Sequence, residues 1–160
     1  MSRAFVKEAD GDDFAEDLPE RPVSDQPNLV TPRGLKLIDL EIERLRKDMA
    51  AAKSAGERAV IARASRDLRY WTKRRATAQP VDWPADPERM AFGAAVTIER
   101  EDGRRQTFRI VGEDEADPSA GRISWFSPMA QAVSGGRVGD LVTVAQDEIE
   151  IVAIDITPEA

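Results

Sequence analysis

Two heptad-spaced apolar series, separated by a short break, constrain this chain more than any other feature. Leu35, Ile38, Ile42, Leu45, Met49 and Ala52 follow one another at spacings of 3, 4, 3, 4 and 3. Ile61, Ala64, Leu68, Trp71, Arg75 and Ala78 repeat the same spacings. A mean period of 3.5 puts each series on one face of an α-helix as a continuous seam. Lys53-Ser54-Ala55-Gly56 interrupts the pattern, and Gly56 can take the left-handed conformation that ends a helix. Helices joined by so short a turn must run antiparallel. Residues 30–79 are therefore expected to form a coiled-coil hairpin, about 30–35 Å long at roughly 1.5 Å per residue. Thr31 is the expected N-cap and Pro32 the first helical residue, where a missing N–H does no harm. Pro80, Pro84 and Pro87 end the hairpin and make 80–89 a stiff hinge.

From Met90 the apolar period falls to about two, the spacing of strands. Ala95–Glu99 and Gln106–Val111 read as a β-hairpin turning at Glu101-Asp102-Gly103-Arg104. Gly121–Trp125 is a third strand after a loop at Glu113–Ala120. Ser127-Pro128 caps a short helix through Val133, closed by Gly135-Gly136. Leu141–Val144 and Glu148–Ile156 are the last strands. The expected class is α+β: a helical hairpin, then an antiparallel β domain over 90–160 with one short helix packed on it.

Charge is distributed unevenly along the chain. Residues 1–29 hold three basic and eight acidic side chains, and 80–160 hold seven and sixteen. Residues 57–79 hold seven basic against Glu57 and Asp67. The Asp-, Glu- and Pro-rich stretch 1–29 is expected to be an acidic arm without fixed structure. A basic middle between acidic ends argues against general DNA coating and for one positive surface offered to a nucleic acid or an acidic partner. With no cysteine and no histidine, disulfides, thiol and imidazole chemistry and most zinc sites are excluded. No stretch approaches the roughly 18–20 apolar residues of a membrane span. A cytoplasmic monomer with no membrane partner and no cofactor of its own is expected.

The second domain contains Phe92-Gly93-Ala94, Phe108-Arg109-Ile110-Val111-Gly112, Asp114-Glu115, Ile123-Ser124, Ser127-Pro128-Met129-Ala130 and Arg137-Val138-Gly139-Asp140. In this order and spacing the set resembles the C-terminal domain of the GreA/GreB transcript cleavage factors, most nearly GreB, over about residues 90–156. The preceding hairpin resembles the family plan from Val30-Thr31 through Arg69-Tyr70 to Val81-Asp82. The resemblance implies an FKBP-like second domain, RNA polymerase as partner, and a hairpin inserted into the polymerase secondary channel.

Two departures bear on activity. The family's hairpin tip carries an Asp and a Glu that help hold magnesium in the polymerase active site, since magnesium takes hard oxygen ligands. Here the turn Lys53–Arg58 holds Glu57 alone. The family's hairpin is also longer by some two turns per arm, about 10 Å at roughly 5.4 Å per turn, and catalysis tolerates misplacement of about 1 Å poorly. The usual catalytic pair is thus carried over to no residues of this chain. At the docking loop the family's Asp or Asn before Ser-Pro is replaced by Phe126, while Ser127, Pro128 and Met129 match.

These residues make Phe126, Ser127, Pro128 and Met129 the candidate polymerase-docking set. Arg58, Arg66, Arg69 and Lys73 form a candidate patch facing nascent RNA, set against the ordinary reading of a solvated helix face. Glu57 is a candidate ligand to the polymerase magnesium or a first-turn acid favoured by the helix dipole. Trp71 falls on the seam and is expected in the core rather than as a base-stacking platform. Of Trp125 and Phe126 one is expected to pack inward. Glu113–Asp117 lacks EF-hand spacing and reads as a solvated loop. The leading expectation is a Gre-type elongation regulator with little or no cleavage activity. The alternatives are an authentic cleavage factor using Glu57 and a coiled-coil adaptor of the Rnk type that binds another protein.

Overall fold

In the computed structural model the described residues run from Leu18 to Ala160. They form two compact units: Asp39–Ala76 with the chain leading up to Val23, and Ser24–Ile38 with Thr77–Ala160. Of the acidic arm expected at 1–29, residues 1–17 lie outside the described residues. The rest follows a defined path and ends in strand β1, Leu29–Val30.

The first unit is built on helix α1 (Pro32–Ala55) from Asp39 onward and on helix α2 (Arg58–Thr77) as far as Ala76, helices of 24 and 20 residues. Ile42, Leu45, Ala52 and Ala64 of the two seams are buried, and Met49, Leu68 and Trp71 are half-buried. One seam position differs from expectation. Arg74 is buried, at 2% exposure, whereas Arg75 lies outside and donates from Nε to Asp39 Oδ1 at 2.6 Å. Positions three and four beyond Trp71 both flank the seam, and Asp39 offers Arg75 a partner on the exposed edge. The turn between the helices is a Schellman motif. Glu57 N–H donates to Ala52 O at 2.9 Å and Gly56 N–H to Lys53 O at 3.3 Å, with Gly56 at φ +69°.

The second unit holds β1 paired in parallel with β2 (Gln79–Pro80) and a five-stranded sheet. Its strands are β3 (Ala95–Arg100), β4 (Arg105–Val111), β5 (Arg122–Ser124), β6 (Leu141–Val144) and β7 (Asp147–Asp155), in the order β5-β4-β3-β7-β6. β4 to β3, β3 to β7 and β7 to β6 are antiparallel. β5 instead runs parallel to β4, so the sheet is mixed rather than antiparallel throughout. The cause is the β4–β5 connection, which passes through 3-10 turns at Glu113–Glu115 and Pro118–Ala120 and so returns the chain to the edge in its original direction. Val96, Ile98, Ile110, Ile149 and Ile151 point to one face, where Ala130 and Val133 of helix α3 (Pro128–Val133) and Met90 close the core.

Glu115 departs from the expected solvated loop. It is buried, and its Oε2 accepts from Thr31 Oγ1 at 2.6 Å while Oε1 accepts from Arg33 Nη1 at 3.0 Å. Arg122 Nη1 stands 3.7 Å from Oε1. Thr31 is also the N-cap of α1, its Oγ1 accepting from Gly34 N–H at 2.9 Å. This contact explains why the first turns of α1 belong with the β unit rather than with the rest of the hairpin. Gly34 makes room for it, since a Cβ there would stand 2.7 Å from Glu115 Oε2, and a Cβ on Gly112 would clash with the Leu29 carbonyl oxygen.

Removing the carboxylate leaves the buried Thr31 hydroxyl without its acceptor, at a cost of about 1–3 kcal/mol, while the Arg33 side chain, 26% exposed, turns to water and Arg122 keeps Glu159. Glu115→Ala is expected to lose stability on that scale in urea unfolding, and a loss under about 1 kcal/mol would show that the contact is dispensable. A second ion pair gives a pH dependence. Glu159 accepts from Arg122 Nη1 at 2.5 Å and lies 3.2 Å from Arg109 Nε. The hydrogen bond from Arg122 holds its carboxyl below the ordinary 4.5, assisted by the charges of Arg109 and Arg122. A depressed carboxylate stabilises fully above its unfolded pKa and loses that contribution as pH falls through the folded one. The stability gap between the natural chain and Glu159→Gln should therefore be constant near neutrality and close below pH 4.5, as followed by chemical unfolding across an acid series.

Candidate functional site

Residues 126–129 are positioned by the capping geometry of α3. Ser127 has extended backbone and its Oγ accepts from Ala130 N–H at 3.3 Å, with Pro128 in the first turn. Gln131 Nε2 donates to Phe126 O at 2.5 Å, and Phe126 N–H donates to Ser124 Oγ at 3.2 Å. The backbone on both sides of Phe126 is thereby fixed. Trp125 packs against the sheet core and meets Phe126 edge to face at 5.6 Å. Its Nε1 is buried with no acceptor among the described residues. Phe126 is 44% exposed and Pro128 is exposed, whereas Met129 packs partly into the core. The set is therefore an apolar surface of Phe126 and Pro128 held on a capped turn, with Ser127 and Met129 supporting it. An aromatic ring presented on fixed backbone is the type of group that anchors protein interfaces.

At the hairpin tip Glu57 is exposed. It is the only acid between Asp48 and Asp67, and Asp48 already accepts from Arg44 at 2.7 Å. A lone carboxylate on a solvent-facing turn can supply one metal ligand and no more.

The basic patch is less bare than its sequence suggests. Arg66 pairs with Asp67 at 3.1 Å. Arg69 donates twice to Glu20 Oε1, from Nη2 at 2.6 Å and Nε at 2.9 Å, and these bonds lower the Glu20 pKa and raise that of Arg69. Arg69 and Lys73 line one groove, while Arg58 and Arg66 do not. Glu20 comes from the stretch expected to lack structure, and so does Arg21, whose guanidinium stacks on Tyr70 at 3.9 Å. Nothing local in the sequence around Glu20 and Arg21 marks them as partners of α2. Trp71 lies half-buried beside Tyr70, in edge-to-face contact at 5.1 Å.

A family model described as transcription elongation factor, GreA/GreB, C-terminal, matches residues 85–157. GreA 1 of Lactiplantibacillus plantarum is 37% identical over 135 residues, covering 73% of this chain and 86% of that protein. The chain belongs to the GreA/GreB family. GreB of Neisseria meningitidis serogroup B is 40% identical over 96 residues, 56% of this chain and 59% of that GreB, so the match spans less than two thirds of that relative. Among solved structures, the GreA factor homolog 1 of Thermus thermophilus matches with a TM-score of 0.39 at 21% identity, over 81% of this chain and 99% of the other. The matched region of the Gre C-terminal family contains Phe126 and the whole of α3.

An exposed ring contributes little to the fold. Phe126→Ala is expected to change unfolding free energy by less than about 0.5–1 kcal/mol, whereas Trp125→Ala should cost about 3 kcal/mol. Thermal or urea unfolding of the two variants decides this. An equal loss in both would make Phe126 a structural residue rather than a presented one.

Proposed function

We propose that this chain is an RNA polymerase-binding regulator of transcription elongation. Its hairpin enters the polymerase secondary channel without stimulating transcript cleavage. The observation that carries this reading is the tip, a Schellman turn that presents Glu57 as its single carboxylate. Magnesium-assisted hydrolysis in the polymerase active site calls for hard oxygen ligands that fix the metal and its water together. One exposed carboxylate lacks the second anchor needed for such positioning. Binding is assigned to Phe126 and Pro128, with Ser127 and Met129 holding them in place. The protein acts as a monomer in the cytoplasm and brings no cofactor of its own. No described helix is long and apolar enough to cross a membrane. A regulator of this kind competes with cleaving relatives for one channel and alters pausing by occupancy.

The deciding measurement is the length of nascent RNA in a backtracked polymerase complex with magnesium, before and after addition of the protein. No shortening is expected, together with slowed cleavage when a cleaving Gre factor is added afterwards. Shortening that disappears in Glu57→Ala would establish a cleavage factor working through one acid. Absence of any binding to core polymerase at micromolar concentration would move the chain to the adaptor class, with another protein as its partner.

A further inference from the structure

The five-stranded sheet ends on β6, and this edge is open. The two-residue turn at Ala145 and Gln146, both at positive φ, joins Val144 to Asp147, which makes that pair a hydrogen-bonded one. At the far end of the strand Ile151 N–H donates to Asp140 O at 2.9 Å. Hydrogen-bonded and non-hydrogen-bonded pairs alternate along an antiparallel ladder. Val142 and Val144 therefore turn their N–H and C=O groups toward β7, and Leu141 and Thr143 turn theirs away from it. Neither Leu141 nor Thr143 has a backbone partner on that side among the described residues. Edge strands are commonly guarded by a charge, a proline or a bulge. Leu141-Val142-Thr143-Val144 has none of these, and Leu141 is 62% exposed. Beside it the turn Arg137–Asp140, closed by Asp140 N–H to Arg137 O at 3.1 Å, holds Val138 at 57% exposure. The register sets Leu141 opposite Glu150 and Thr143 opposite Glu148. These two glutamates thus share the face of Leu141 and Thr143, away from the core face of Ile149. They have no ion-pair partner among the described residues, whereas Glu99 on β3 pairs with Arg105 at 2.7 Å.

We propose that the β6 edge receives an extended segment of a partner protein as an added strand, a segment in which apolar residues alternate with lysine or arginine. Main-chain bonds to Leu141 and Thr143 supply the affinity, and the alternating side chains supply the selectivity. Apolar residues of the added strand continue the row of Val142 and Val144. Its cations reach across Leu141 and Thr143 toward Glu150 and Glu148, since long basic side chains lay their stems on apolar surface and keep the charge beyond it. A second copy of the chain suits this edge poorly. It would bring the same two glutamates, and residues 80–160 hold seven basic against sixteen acidic side chains, so like charges would meet. None of these residues belongs to 126–129 or to the hairpin, so the inference stands or falls separately from polymerase docking.

The probe is a short capped peptide of alternating lysine and valine, added to the full chain at low salt, where exposed charges are least screened. Hydrogen exchange of the backbone amides is followed by NMR. The Leu141 and Thr143 amides should exchange fast in the free chain and slow about tenfold at about nine-tenths occupancy by the peptide. The same peptide with glutamate in place of lysine should bind much more weakly. Thr143→Pro removes an outward N–H and leaves the β6–β7 ladder its bonds. It should weaken lysine-peptide binding about tenfold, the scale of one lost main-chain hydrogen bond. Should that variant fail to fold, Glu148→Lys with Glu150→Lys carries the test, because it should transfer the preference to the glutamate peptide. No binding of the lysine peptide, binding that leaves the two amides unprotected, or equal binding of both peptides would overturn the proposal. Protection of the same amides that grows with protein concentration in the absence of peptide would make a second copy the occupant and overturn it as well.

Discussion

The structure depends on one buried carboxylate. Glu115 takes a carboxyl group out of water, which is costly unless donors surround it. Thr31 and Arg33 supply them from the first turn of α1, and Arg122 adds its charge from β5. Thr31 has two roles at once, since the same hydroxyl that donates to Glu115 accepts from Gly34 N–H and starts the helix. Around this point the chain has little freedom. Gly34 and Gly112 leave space that a Cβ would fill. The β1–β2 pair is stitched by Gln79 N–H to Asn28 O at 2.8 Å and Val81 N–H to Val30 O at 2.9 Å. Buried ion pairs often add little net stability over an apolar replacement. The donors converge on the carboxylate from the start of α1 and from β5.

How much of this was legible in the sequence follows from the range of the interactions involved. The helices, their turn and the α3 cap are local, and the 3.5-residue period, Gly56, Thr31-Pro32 and Ser127-Pro128 announce them. The β3–β4 turn at Gly103, at φ +82°, is local too. Glu115 was not legible, because its hydrogen-bond partners lie 82 and 84 residues away and an acid inside an acid-rich loop gives no sign of burial. The direction of β5 was hidden for a similar reason, since strand pattern carries no information on parallel or antiparallel pairing. The β6–β7 turn hides differently. Ala145 and Gln146 take φ +49° and +75°, a conformation in which Asn and Gly are the usual residues, so its chemistry does not advertise its geometry.

The candidate sites divide along the same line. Residues 126–129 form a contiguous motif on a local cap and could be read directly. The basic face of α2 could be read only as a list of charges. Its neutralisation by Glu20 and Asp67 depends on a segment whose composition resembles that of chains that do not fold. Arg21 shows why that segment is nonetheless held. Stacking on an aromatic face and pairing with Asp67 attach it through a few specific contacts rather than through a hydrophobic core.

The hairpin tip supplies the final step. Its geometry is set by Gly56 and by backbone bonds from Gly56 and Glu57 to Lys53 and Ala52. The side chains of Lys53, Ser54 and Glu57 are exposed, and a Cβ on Gly56 would meet nothing within 4 Å. The fold therefore places almost no demand on what these positions carry, and a second acid at Lys53 or Ser54 would be accommodated at little cost to stability. The number of carboxylates at the tip is therefore not set by folding. The polar identity of the turn is in this sense chemical information.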